Sequence, residues 1–330
     1  MLDKIAIAVI LTGFLSMEVL GQDFDVQGHR GARGLAPENT LAAFARALSI
    51  GVSTLELDVG VSREGTVVVT HNPRLEPDIT RRPDGTWLST TGPAVRTLSV
   101  EELGTYDVGQ TKPGSRYAKR FPDQTPVDGA RIPSLRNVIE LIRRSGNDKV
   151  RLNIEAKLNP TEPDLTHGPE KFAIAILDVV QDMDMADRVT IQSFDWRVLQ
   201  EVQRLAPAVE TSYLSVQQRW LDNIRRGKEG STAWTAGFDI DEHDGSIPRL
   251  VRAAGGRAWS PFHREIDAAQ IKEAHDLGLT VIVWTVNQEG RMDALIEIGV
   301  DGIITDYPNR LRHVLEKRGM KVPMRTPVQP

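Results

Sequence analysis

Four short stretches of the chain hold side chains able to do chemistry: His29-Arg30, Glu56-Leu57-Asp58, His71-Asn72 and Asn153-Ile154-Glu155-Ala156-Lys157. Each lies in, or at the end of, an apolar run that reads as a strand. Strand alternation puts residues i and i+2 on one face. Glu56 and Asp58 therefore point together, and so do Glu155 and Lys157. Converging carboxylates repel one another unless a cation lies between them. Glu56, Asp58 and Glu155 are thus expected to form an all-oxygen site for one hard divalent cation, Ca²⁺ or Mg²⁺. The chain has no cysteine, which excludes disulfides, thiolate ligands and thiolate nucleophiles. His29 and His71 suit acid–base work, because imidazole titrates near neutral pH and one ring can accept a proton while the other gives one. Arg30 and Lys157 add fixed positive charge. Arginine grips a phosphate with two parallel bonds, whereas lysine acts as a point charge. Phosphate is the expected reacting group.

These side chains need a frame that gathers strand ends. Candidate strands are Val26–His29, Thr54–Val59, Val67–His71, Arg151–Glu155, Val189–Ser193, Thr211–Leu214, Arg257–Ser260, Thr280–Val286 and Gly302–Thr305. Helical patterns fall between them at Thr40–Leu48, Leu135–Arg143, Pro169–Gln181, Trp196–Leu205, Ile266–Leu277 and Gln288–Ile298. Such alternation implies a parallel sheet, and at this length a TIM-type (β/α)₈ barrel. Nine strand candidates exceed eight, so one is a hairpin partner or an extra strand. The join from Val59 to Val67 is too short for a crossover helix. Polar residues at the carboxyl ends of barrel strands face the active site, which places the four stretches in one mouth.

Residues 72–132 break the alternation with seven prolines, at 73, 77, 83, 93, 113, 122 and 126. They read as an insertion after the third strand, on the side of the mouth. Trp220–Ile247 reads as a second elaborated loop. Long loops in a compact domain are usually functional. The barrel domain is expected over 22–320, with a proline-bearing disordered tail over 321–330. The amino terminus has Lys4, an apolar run from Ile5 to Leu15, and small residues near Gly21. That pattern is a signal peptide over 1–21, too short for a membrane span of roughly 20 residues. The mature chain is expected to be exported, periplasmic or extracellular, with no stable span. The 40 basic and 45 acidic residues give a charge of −5, which argues against non-specific nucleic-acid binding.

The motifs together resemble a known family. His29-Arg30-Gly31, Pro37-Glu38-Asn39-Thr40, Glu56-Leu57-Asp58-Val59, Val68-Val69-Thr70-His71, Asn153 to Lys157, Val283-Trp284-Thr285-Val286-Asn287 and Gly299 to Pro308 are similar to those of the glycerophosphodiester phosphodiesterases. The likeness runs from about Val26 to Arg310. It implies metal-dependent hydrolysis of a small-molecule glycerophosphodiester to glycerol 3-phosphate and an alcohol. It also implies that Trp284 is a pocket aromatic and that Glu38 and Asn39 support the site beside the first strand. The family usually has aspartate after the second histidine, where this chain has Asn72. Two other readings stay open. One is phospholipase-D-like action on lysophospholipids, for which Trp87, Leu88, Trp220 and Trp234 are candidate contacts. The other is a non-catalytic phosphodiester-binding protein. Ca²⁺ against Mg²⁺, the acid against the base histidine, the alcohol and the oligomeric state remain undecided at this level.

Overall fold

A computed structural model of the chain describes residues 23–330. The expected signal segment, 1–21, lies outside the described residues. The strands are β1 Asp25–Gly28, β2 Thr54–Val61, β3 Val67–Val69, β4 Arg151–Ala156, β5 Val189–Ser193, β6 Glu210–Ser215, β7 Gln217–Gln218, β8 Leu221–Asp222, β9 Ala258–Pro261, β10 Thr280–Val283 and β11 Gly302–Thr305. The helices are α1 Leu41–Ile50, α2 Val100–Leu103, α3 Arg116–Arg120, α4 Leu135–Arg144, α5 Pro169–Asp182, α6 Trp196–Leu205, α7 Ile247–Ala253, α8 Ala268–Asp276, α9 Glu289–Glu297 and α10 Pro308–Lys317.

Strands β1, β2, β4, β5, β6, β9, β10 and β11 run parallel in chain order. Pairing of β1 with both β11 and β2 closes them into a (β/α)₈ barrel. The helices form where local signals agree. Ser134 accepts from Asn137 N at the start of α4, whose Leu135, Val138, Ile139, Leu141 and Ile142 are buried on one stripe. A residue of this kind at the cap satisfies an orphan N–H and stabilises the helix by about 1 kcal/mol. Thr40 caps α1 and Asp195 caps α6 in the same way.

The ninth candidate strand is a hairpin partner. Ser62 N donates to Thr66 O at 2.9 Å, and the tight turn sends β3 back antiparallel along β2. His71 therefore stands beyond an antiparallel strand that descends toward the mouth, and not at the top of a barrel strand. The insertion of residues 72–132 joins the second and third barrel strands. It holds α2, α3 and Leu75, Leu88, Val95 and Leu103, which form a small core with Val68 of β3. Helices α7 and α10 were not among the expected ones.

The expected disorder of the tail is corrected. Residues 321–330 form neither helix nor strand, yet they lie against the body. Thr326 N donates to Leu48 O at 2.9 Å, and Asn147 Nδ2 donates to Thr326 Oγ1 at 3.2 Å. Arg312 Nη1 donates to Pro323 O at 2.6 Å, and Val322 and Val328 pack on the main core. The prolines suit an extended, backbone-bonded segment as well as a disordered one. No helix among the described residues is long and apolar enough to cross a membrane.

Candidate active site

The barrel mouth opens into a pocket of about 680 Å³ lined by His29, Arg30, Glu56, His71, Glu155, Lys157 and Trp284, among others. Asp58 is fully buried below them. One carboxylate oxygen from each of Glu56, Asp58 and Glu155 lies within 4.8 Å of the others. The strand register dictates this: Glu56 pairs with Asn153 and Asp58 with Glu155, so the acids stand at neighbouring heights on adjacent strands.

The surrounding bonds fix each group. Arg30 N donates to Glu56 Oε2 at 2.9 Å, and Gln192 Nε2 donates to Glu56 Oε1 at 3.0 Å. Asn39 Nδ2 donates to Asp58 Oδ2 at 2.9 Å. Arg30 and Asn39 have φ of 51° and 56°, left-handed values that non-glycine residues adopt only when surroundings hold them. Gly31, at φ 85°, passes so close to α1 that a Cβ would meet Ala43 C at 2.6 Å. Arg30 Nη1 contacts both oxygens of Glu38 at 2.8 and 2.9 Å, and its Nε lies 3.1 Å from Asp58 Oδ2. Lys157 Nζ is 2.7 Å from Glu155 Oε1 and 3.7 Å from Asp58 Oδ1.

His29 Nδ1 meets Asp306 Oδ1 at 2.6 Å, and its Nε2 lies 3.9 Å from Glu56 Oε2. Because a carboxylate only accepts, the Nδ1 proton is fixed and Nε2 is turned to the mouth. Asp306 is itself held by Arg33 Nε at 2.7 Å and Asn287 Nδ2 at 2.7 Å. His71 Nδ1 bonds the side-chain oxygen of Asn72. Trp284 donates its Nε1 to Ser260 O at 2.9 Å, which leaves its ring for the pocket.

Charge in the site is unevenly shared. Burial, then Asp58 and Glu155, push Glu56 well up, and burial raises Glu155 to about 7. Burial would raise Asp58 too, but Arg30, His71 and Lys157 outweigh it and hold it low. Burial and Arg33 bring His29 down to about 4; burial, Arg30 and Lys157 likewise lower His71. Buried Asp58 Oδ1 has no hydrogen-bond partner. Two acids pushed up, an orphaned carboxylate oxygen and an all-oxygen donor set fit a hard divalent cation.

All the site residues named from sequence meet at this mouth or directly behind it. Tyr117, Arg33, Gln192 and Asp306 were missed. Asp306 follows β11, so the strand-end rule that selected His29 would have selected it too. Tyr117 had no such signal. Its hydroxyl donates to Glu38 from 79 residues away. Of the aromatic candidates, Trp220 and Trp234 line the pocket. Trp87 stacks under Arg81, and Leu88 belongs to the core of the insertion.

A (β/α)₈ barrel whose mouth combines acids, histidines and two basic side chains has the make-up of a phosphoric diester hydrolase. Comparison with known proteins narrows the class. The model of the glycerophosphoryl diester phosphodiesterase family matches residues 29–310, and the chain belongs to that family. A glycerophosphodiester phosphodiesterase of Caldanaerobacter subterraneus subsp. tengcongensis is 28% identical over 294 residues, 89% of this chain and 98% of that one. A solved structure from Silicibacter pomeroyi, assigned as a glycerophosphoryl diester phosphodiesterase, is 36% identical with a TM-score of 0.80, covering 91% of this chain and 96% of that one. An Oleispira antarctica phosphodiesterase, solved with the product sn-glycerol-3-phosphate, shares the fold at 23% identity and a TM-score of 0.62, covering 88% of this chain and 96% of that one.

Proposed function

We propose that this protein hydrolyses glycerophosphodiesters to glycerol 3-phosphate and an alcohol, with one divalent cation and with His29 and His71 as the acid–base pair. The observation that carries the reading is the convergence of Glu56, Asp58 and Glu155 within 4.8 Å, beside both histidines and both cations. Family membership supplies the substrate class.

Glu56, Asp58 and Glu155 would hold the cation, which supplies Lewis-acid charge at a phosphate oxygen. Arg30 and Lys157 offset the charge that builds on the phosphoryl group. Preorganised charge of this kind is usually the largest contribution in such sites. Glu38 engages Arg30 Nη1 and Asp58 flanks Nε, which leaves Nη2 for a ligand in the pocket. One histidine takes the proton of the nucleophile, water or a glycerol hydroxyl, and the other protonates the departing alcohol. The two are backed unequally. The Asp306 carboxylate stabilises an imidazolium at His29, whereas neutral Asn72 gives His71 no such support.

The test is turnover of several glycerophosphodiesters with glycerol 3-phosphate measured as product. Chelation should abolish it and added Ca²⁺ or Mg²⁺ restore it. His29→Ala and His71→Ala should each cost roughly 10²- to 10⁴-fold in kcat. Turnover that survives chelation, or either variant near the wild-type rate, overturns the reading. Residues 1–21 carry the pattern of a cleaved signal, and we read the mature protein as exported. Mass spectrometry of the mature amino terminus checks this, and an intact Met1 on exported protein would refute it.

A further inference from the structure

The mouth is divided by its strands. His29, Arg30, Glu56, Asp58, Glu155 and Lys157 stand on or just after β1, β2 and β4, which are neighbours in the barrel. On the next four strands the character changes. Phe194 follows β5, Trp220 sits in the hairpin of β7 and β8 after β6, Phe262 follows β9 and Trp284 follows β10. Their rings form one contiguous wall. Phe194 to Trp284 and Phe262 to Trp284 are each 5.3 Å between centroids, and Trp220 lies 6.3 Å from both Phe262 and Trp284. All four line the same pocket as the acids.

Trp220 is 62% exposed, a costly placement for an indole on a loop. Its hairpin is nevertheless pinned. Glu265 accepts from Gln217 N at 2.9 Å and from Gln218 Nε2 at 2.6 Å. Asn223 accepts from Val216 N at 2.9 Å and donates to Leu214 O at 3.0 Å. An exposed apolar surface held in place beside a reactive site marks a binding surface.

We propose that this wall is the leaving-group subsite, that it selects alcohols with a neutral apolar body over polyols, and that Trp220 is its specificity-determining residue. The proposal rests on the phosphodiesterase reading. With the glycerol drawn to the acidic side and the phosphate at Arg30 and Lys157, the alcohol must extend over the remaining side, which is the wall. The charge pattern disfavours a cationic alcohol. The carboxylates that line the pocket, Glu56, Glu155 and Glu162, stand on β2 and β4 or just after β4, off the aromatic strands, and Lys157 Nζ already lies 5.9 Å from the Phe194 ring. Trp284 has committed its polar edge to Ser260, so it offers a ligand only its face.

The experiment measures kcat/KM for glycerol 3-phosphate esters of straight-chain alcohols from methanol to octanol, with glycerophosphoglycerol for comparison. Each buried methylene is worth about 0.8 kcal/mol, or about fourfold. A rise of roughly two- to fourfold per methylene over the first few carbons is expected, and Trp220→Ala should at least halve that slope on a logarithmic scale. A flat or falling series, or a slope unchanged in Trp220→Ala, overturns the proposal. So does glycerophosphocholine exceeding its neutral 3,3-dimethylbutyl counterpart, which would make the wall a cation site. If no ester of the series is hydrolysed, the phosphodiesterase reading itself fails.

Discussion

Glu155 and Glu56 are pushed up because burial strips their hydration and each faces other acids. Their folded-state values exceed those of the unfolded chain, so ionising Glu155 as pH rises through about 7, and Glu56 above its usual range, works against folding. The proposed divalent cation would bind the ionised form and remove that penalty. The rise in melting temperature on adding Ca²⁺ or Mg²⁺ is therefore expected to be larger at pH 8 than at pH 6, read by differential scanning fluorimetry. An equal rise at both values would place the cation elsewhere. Asn72 allows a second test. Burial, Arg30 and Lys157 hold His71 low, and its near partner is an uncharged amide. Asn72→Asp puts a carboxylate there, which raises an imidazole. The limb of the kcat/KM profile set by His71 should move to higher pH, and superimposable profiles would remove Asn72 from the chemistry. Most of these residues were legible in the sequence, because strand ends with paired acids stand out from apolar runs. Asp306 was legible by the same rule and went unselected, since a lone acid after a strand looks like any surface ion-pair partner.

Among the elements, the insertion was legible only as an interruption. Prolines and scattered charge showed where the barrel pattern stops, but they could not show what the segment touches. Its α3 reaches the mouth, with Tyr117 donating to the Glu38 that holds Arg30, and Phe121 stacked 4.7 Å from the Arg33 guanidinium. Gln124 Nε2 also donates to Arg33 O at 2.6 Å. The insertion thus braces the first loop of the barrel, and with Arg30 as the proposed phosphate contact Tyr117 would act on substrate through Glu38 and Arg30. Tyr117→Phe is expected to raise KM roughly 2- to 10-fold, the worth of one hydrogen bond, with a smaller change in kcat. On a Glu38→Gln background the same change should add little. A drop in melting temperature with KM unaltered would show Tyr117 to be packing alone. The missed helices have local causes. α7 is short and carries Pro248, and α10 has polar residues around most of its circumference with Leu311, Val314 and Leu315 as its buried stripe.

At the scale of the whole molecule, the alternation of strand and helix was enough to give the barrel, and the short join after Val59 pointed to the one strand outside it. The tail could not be read, because its anchors are backbone bonds to α1 and to Arg312, which no local pattern encodes. Removing residues 322–330 strips those bonds and the packing of Val322 and Val328. It should lower the melting temperature by roughly 2–8 °C, for a loss of about 1–2 kcal/mol, while kcat holds near its wild-type value. An unchanged melting temperature would show the tail to be idle. The closure of β1 onto β11 also sets an order of events. His29 meets Asp306 across 277 residues of chain, and contacts of such long range are slow to form. His29, made early by the ribosome, is thus among the last of the mouth residues to be oriented. In refolding from denaturant, far-UV circular dichroism should recover before hydrolytic activity does, and the interval between them is the time the chain spends as an assembled but unfastened ring.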